Sequence, residues 1–341
     1  MKFEKEKQKA IITYILEKIS SGEKDRLTEK IAETLGLNRN TVHSYINKLV
    51  DEGIIRRVKR GIYETVKNEY IYKLSREEGK LSSDMGAYRE CLKPHTEDLP
   101  PNVRLIWEYG FSEMINNVMD HSMADSAEVT VIRDYQHISV IISDNGIGIF
   151  EKIRSYFDYA TLEDAICELF KGKLTTDSEN HSGEGIFFTS KIMDAFFIIS
   201  DGRIFSNNKY EESEILKLAN TDTRGTTVYL ELSNNSRKNL RDVFDMYSNV
   251  DGGFTKTLIP LKNIFESSPV SRSQAKRICN RLESFREVTL DFEGMEWMGQ
   301  GFAHQLFVVF KNSHPGIEIT PVNMCEAVEA MYKHVRKTAG P

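Results

Sequence analysis

The sequence predicts a multidomain α/β protein, and three observations predict it. At 341 residues the chain spans two to three ordinary domains of ~150 residues each. Residues 5–66 order as helix, helix, glycine turn, helix and basic hairpin, a small α+β unit. Beyond residue 108, strands end in glycine-bearing turns that open helices, the arrangement from which layered α/β units are built. A composition 40% hydrophobic and 28% charged excludes disordered and fibrous classes. The apolar run Leu306–Phe310 is far short of the ~18 residues of a membrane span. The charged start, Met1 to Lys7, lacks a signal peptide's apolar core, so a cytoplasmic protein is expected. Cys91, Cys167, Cys279 and Cys325 have no paired spacing of the zinc type and are expected to be buried free thiols.

In the head, Ala10, Ile11, Ile12, Ile15, Leu16 and Ile19 recur at helical spacing over residues 5–20, and Ser20-Ser21-Gly22 ends that helix. Leu27–Leu35 makes a second helix, Gly36-Leu37-Asn38 turns the chain, and Asn40–Asp51 makes a third. Two strands, 54–58 and 62–66, flank the turn Lys59-Arg60-Gly61. The overall charge is −6, yet residues 1–65 carry a net +4, so the rest carries −10. A basic head on an acidic body points to a polyanion met by the head alone. This segment, residues 1–68, resembles bacterial winged helix-turn-helix domains, and the resemblance implies binding to double-stranded DNA. Arg39, Asn40, Thr41, His43, Ser44, Asn47 and Lys48 are the candidates on the third helix. Arg and Asn can read guanine and adenine edges bidentately, while Thr, Ser and Lys suit phosphates. Arg56, Arg57, Lys59 and Arg60 cluster in the wing. Residues 69–100, polar and ending in Leu99-Pro100-Pro101, read as a linker with some helix.

Residues 101–240 carry the most chemistry. In the helix Glu108–His121, Glu113, Asn117, Asp120 and His121 share one face. An amide oxygen there can ligate Mg²⁺, and a carboxylate can orient or deprotonate a nucleophile. Strands 127–133 and 137–143 follow, the second running into Asp144-Asn145-Gly146-Ile147-Gly148, a carboxylate followed by glycines that admit close approach of a ligand. After a polar stretch, 171–181, Ser182-Gly183-Glu184-Gly185 opens a helix over about 185–195, which offers backbone N–H groups to phosphates. Gly225-Thr226-Thr227 begins a strand at 228–232. No Gly-Xaa4-Gly-Lys-Ser/Thr motif occurs.

In this order and spacing the four pieces resemble the GHKL ATPases (gyrase, heat-shock chaperone, histidine kinase, MutL) over roughly 85–240. The resemblance implies a Bergerat-fold α/β sandwich holding ATP and Mg²⁺ beside a mobile lid. Matched position by position, it gives Asn117 as the Mg²⁺ ligand and Glu113 as the catalytic base. Asp144 becomes the acceptor of the adenine amino group, Gly146 and Gly148 shape the adenine pocket, Gly183 and Gly185 approach the phosphates, and Thr226 supports the adenine edge. Lys171 and Lys173 are expected phosphate neighbours. The Glu113, Asn117 and His121 spacing is similar to that of anti-sigma-factor kinases, whereas Asp120 is similar to the gyrase and MutL branch.

Residues 251–341 form a third unit. A helix starts at Ser271–Arg277, a strand covers 286–292, a helix runs from Gly299 through Phe310, and strand 317–319 precedes a helix from Met324. This unit resembles the STAS-like domains found behind GHKL modules. In the phosphate-accepting members of that fold a serine stands where strand meets helix, whereas here the turn reads Met298-Gly299-Gln300-Gly301. Ser271, Arg272 and Ser273 are available to an anion. The expected function is an ATP-binding, DNA-binding transcription regulator set by Mg-ATP. A serine/threonine protein kinase and an ATP-hydrolysing conformational switch stay open beside it. A protein partner for the C-terminal unit and a homodimer also stay open, and no membrane contact is expected.

Overall fold

A stripe of isoleucines along the first helix sets up the first core. A computed structural model of the chain describes residues 2–22, 26–174, 183–206, 224–249, 253–265 and 267–338. Helix α1 (Lys2–Ser20) turns Ile11, Ile15, Leu16 and Ile19 inward against Leu27 and Ile31 of α2 (Leu27–Leu35) and Val42, Ile46 and Leu49 of α3 (Arg39–Asp51). The hairpin of β1 (Ile55–Lys59) and β2 (Ile62–Thr65) closes this core with Ile55 and Tyr63. Asn38 starts α3 by accepting a hydrogen bond from the Asn40 N–H at 2.9 Å, the usual role of an Asn at a helix N-cap. Each apolar side chain so buried stabilises the unit by roughly 1.5–3 kcal/mol.

Only Val66 and Lys67 separate β2 from the next strand, β3 (Asn68–Ser75). The expected linker over 69–100 is therefore corrected: this stretch is the first part of the second unit. All eight residues of β3 pair with β4 (Ser126–Arg133). From α4 (Asp84–Cys91) and the turn after it, Ala87, Tyr88, Cys91, Leu92 and Leu99 enter the second core. Polar residues concealed the stretch because they dominate the exposed length of β3 and the turn after it, while its inward apolar residues, among them Leu74, Leu81 and Leu99, are widely set.

The second unit is a six-stranded sheet of order β3-β4-β5-β8-β6-β7, with β5 (His137–Asp144), β6 (Ala195–Ser200), β7 (Arg203–Ser206) and β8 (Thr226–Ser233). All neighbouring strands in it are antiparallel. Val129, Val131, Val140, Ile142, Leu230 and Ile198 are buried in one core with Ile106, Trp107, Phe111, Met114 and Ile115 of α5 (Pro101–His121). Helices α6 (Ile149–Tyr156), α7 (Leu162–Lys171) and α8 (Gly185–Ile192) complete the helical layer. Helix α8 stops at Ile192, short of the expected 195, because Ala195–Ser200 is drawn into the sheet.

The third unit is a parallel sheet of order β11-β10-β9, with β9 (Lys256–Pro260), β10 (Glu287–Asp291) and β11 (Glu318–Val322). Helices Arg272–Cys279 and Glu326–Thr338 pack on it, together with Gln300–His304, which continues as a π-helix over Gln305–Phe310. Its core takes Cys167 from α7 and Phe187 and Phe188 from α8, while Tyr109, Val243, Phe244 and Ile264 touch both cores. The second and third units thus share a packed boundary. Cys91, Cys167 and Cys279 are buried thiols, but Cys325 is exposed because it lies at the surface start of the last helix. Among the described residues no helix is long and apolar enough to cross a membrane.

Candidate functional site

The end of α5, the end of β5 and the start of α8 converge on one cavity of about 290 Å³. It is lined by Glu113, Asn117, Asp144, Gly148, Gly183, Gly185 and Thr226, over an apolar floor that includes Met114, Val118, Ile153, Ile198 and Val228. Gly146 stands one step behind, its N–H donating to Asp144 Oδ1 at 2.7 Å. The Thr226 N–H also points at Oδ1, at 3.4 Å. Burial pushes the Asp144 carboxyl above its ordinary range, and the two backbone donors pull it back.

Two glycines have geometric reasons. Gly148 has φ 82, and a Cβ there would run into the Asp201 carboxylate, which accepts the Glu151 N–H at 3.0 Å and so holds the first turn of α6. A Cβ at Gly185 would fall on the Glu113 carboxylate, so a glycine lets the α8 N-terminus approach that acid with the carboxylate where it stands. The hydroxyl of Thr226 accepts the Ile149 N–H at 3.1 Å and ties β8 to α6. The Gly183 carbonyl accepts the Leu174 N–H at 3.0 Å, joining the two ends of segment 175–182. That segment, with most of the expected polar stretch 171–181, lies outside the described residues.

Lys171 and Lys173 do not face the cavity, which corrects their expected role. Lys171 is fully buried, 2.7 Å from Glu168 Oε1, and donates to the carbonyls of Arg277 and Asn280 at 2.9 and 2.7 Å. Those carbonyls end helix Arg272–Cys279, where a cation is favoured by the helix dipole. Lys173 donates to the Ser284 carbonyl at 2.8 Å and lies over the rings of Phe254 and Phe285. Among the lining residues, the one Lys or Arg is Lys152, whose Nζ donates to the His121 carbonyl at 2.6 Å. Sequence reasoning missed both Lys152 and Asp201. The position of Lys152 four residues after Gly148, in the first turn of a glycine-opened helix, was the signal available for it.

On α3, Asn40, Thr41, His43, Ser44, Asn47 and Lys48 are all exposed, and a shallow hollow lies between Asn40, His43, Ser44, Asn47, Lys48 and Asp51. Arg39 pairs with Glu29 at 2.9 Å and Lys48 with Glu52 at 3.7 Å. In the wing, Arg57 donates to the Tyr63 hydroxyl at 3.2 Å, Arg56 pairs with Glu64, and Lys59 and Arg60 are exposed. In the third unit Ser271 is held in a capping box with Gln274, and its hydroxyl lies 2.9 Å from that of Ser273.

Three protein families match separate parts of the chain. Residues 107–236 match the histidine kinase-, DNA gyrase B- and HSP90-like ATPases. Residues 28–56 match the winged helix-turn-helix DNA-binding family, and residues 274–329 a STAS-like domain of unknown function. No curated protein matches the chain.

Proposed function

We propose that this chain, which carries a winged helix-turn-helix, a histidine kinase- and gyrase-like ATPase domain and a STAS-like domain, is a transcription regulator whose hold on DNA is set by Mg-ATP. The observation that carries the reading is the single cavity into which Glu113, Asn117, Asp144, Gly148, Gly183, Gly185 and Thr226 converge from separate stretches of sequence. Its volume is close to the lower end for small-ligand sites, ~300 Å³, which suits an adenosine moiety with its phosphates at the Gly183–Gly185 rim. Asp144 Oδ1 takes the backbone donors, leaving Oδ2 for the adenine amino group. Thr226 supports the base edge. The α8 N-terminus presents backbone N–H groups to phosphate oxygens.

The donor set suits a metal that arrives with its nucleotide. No cluster of three or more His, Cys, Asp or Glu stands among the described residues. Mg²⁺ characteristically takes one or two protein oxygens and fills its shell with phosphate and water. Asn117 is the residue to supply that oxygen, and the cation when bound neutralises phosphate charge. Glu113, in contact range of the α8 start, is placed to accept a proton from water or a hydroxyl nucleophile. That placement also favours a second reading, phosphoryl transfer to a serine or threonine of a partner protein.

The test is calorimetry of Mg-ATP binding, followed by DNA affinity of the full chain with and without Mg-ATP on fragments recovered by selection. A nucleotide-dependent change in affinity is expected, whereas equal affinity in both states would overturn the regulator reading, since a ligand shifts only an equilibrium to whose states it binds differently. Labelled γ-phosphate transferred to protein, and lost in Glu113→Ala, would establish the second reading.

A further inference from the structure

We propose that the outer edge of β3 is where two copies of this chain join, antiparallel, about a two-fold axis through Ile71. In the six-stranded sheet β3 is terminal, with β4 on one side and no strand on the other among the described residues. Residues 68–71 and 73 are exposed, Tyr70 at 41% and Ile71 at 57%. An edge strand with an open row of N–H and C=O groups is a template for another strand.

The sequence of that edge says which strand it fits. Glu69-Tyr70-Ile71-Tyr72-Lys73 is symmetric in its aromatics and antisymmetric in its charges about Ile71. In an antiparallel pair centred there, Glu69 of each copy falls opposite Lys73 of the other, Tyr70 opposite Tyr72, and Ile71 opposite itself. Opposite charges and aromatic pairs facing each other across strands stabilise the pairing, and like charges facing each other destabilise it. A shift of two residues in either direction breaks both charge pairs, and one of the shifts sets Lys67 against Lys73. An in-register parallel pair sets Glu69 against Glu69 and Lys73 against Lys73. A self-complementary surface is what a two-fold interface requires, and a foreign strand would match it only by repeating this pattern.

The attachment of the winged helices suits the same geometry. Each leaves β3 at Asn68. The two Asn68 positions then lie six residues apart along the paired strands, about 20 Å at ~3.4 Å per residue, one on each side of the axis. Two-fold related helix-turn-helix units reading half-sites ~34 Å apart can be carried from such points. One short strand pair buries less than the ~1,200 Å² of a stable interface. Pairing is therefore weak in the free protein and strengthened when DNA holds two copies together. The strand-pairing surface stands independently of the nucleotide reading; only the strengthening rests on DNA binding.

The experiment is sedimentation velocity on the full chain over a wide concentration range, without nucleotide or DNA. Wild type is expected to pass from monomer to dimer as concentration rises. Glu69→Lys alone and Lys73→Glu alone each turn both attractive pairs repulsive, and each is expected to weaken dimerisation by at least ~10-fold, about 1.4 kcal/mol. An equimolar mixture of the two single variants restores both attractive pairs and is expected to dimerise like wild type, as is the double variant. All the substituted side chains are exposed, and circular dichroism checks that the variants fold. A wild type that stays monomeric, a dimer indifferent to the single substitutions, or a mixture that fails to recover would each overturn the proposal.

Discussion

Asp144 is a partly buried acid held by two backbone donors, and its situation has opposite consequences for stability and for binding. Its folded-state pKa is raised, so above that pKa the fold carries the cost of a desolvated charge, and the cost disappears as pH falls through it. Asp144→Asn removes the charge while keeping an oxygen for the Gly146 N–H. Thermal melting of the nucleotide-free protein at neutral pH should rise by about 2–4 °C per kcal/mol relieved. Calorimetry should show ATP binding weakened about 10–100-fold, the cost of losing a charged hydrogen bond. On the nucleotide reading proposed above, Lys152, the lysine that lines the cavity, would meet the phosphates rather than the base, since only the phosphates carry charge for an ammonium to meet. Lys152→Met should weaken ATP about tenfold and adenosine hardly at all, and equal losses for both would show that Lys152 acts on the base end. The carboxylate and the glycines of this cavity were legible in the sequence because their order and spacing along the chain carry the pattern. Asp201 was not, because what brings it to Gly148 is the folding of β6 beside α6; Lys152 had only its place after Gly148 to mark it, and its approach to the His121 carbonyl is a product of the fold.

Helix α7 works on two faces. Its C-terminal end lines the cavity through Leu169 and, just beyond the helix, Gly172, while Asp164, Glu168 and Lys171 bond to the third unit. Burial raises the Glu168 carboxyl while Lys171 and Arg281 oppose the rise. Removing one partner of such a buried pair leaves a charge without compensation and costs about 3–5 kcal/mol. Lys171→Met should therefore be severely destabilising in chemical denaturation, and Lys171→Met combined with Glu168→Leu should recover most of the loss. The sequence led to a phosphate role for Lys171 because it ends a helix beside a polar stretch, and no local pattern distinguishes a cation at a ligand from one capping a distant helix. The misread linker has a related cause. Strand β3 is an edge strand, mostly solvent-exposed along its length, so it lacks the regular inward alternation by which its neighbour β4, with burial alternating over Ala127, Val129 and Val131, was recognised.

At the scale of the molecule there are two mechanical bodies rather than three. The ATPase-like sheet and the STAS-like unit share side chains across their cores, whereas the winged helix closes a core of its own and meets the sheet unit through contacts such as the hydrogen bond from Lys9 to Asn235. A chain of residues 68–341 should fold, melt in one cooperative transition and bind Mg-ATP with unchanged affinity. Cutting between 247 and 256 should instead destroy the solubility of both pieces, and calorimetric melting with limited proteolysis would read both outcomes. The junction of the two bodies has its own consequence. Val66 is still bonded to the hairpin, its N–H donating to the Ile54 carbonyl at 2.9 Å, and Asn68 is already paired in the sheet, so Lys67 alone spans the gap. An extended residue advances the chain by only ~3.4 Å. The head is therefore held within about one residue's reach of the sheet edge, and residues inserted there would loosen it from β3 without touching either core.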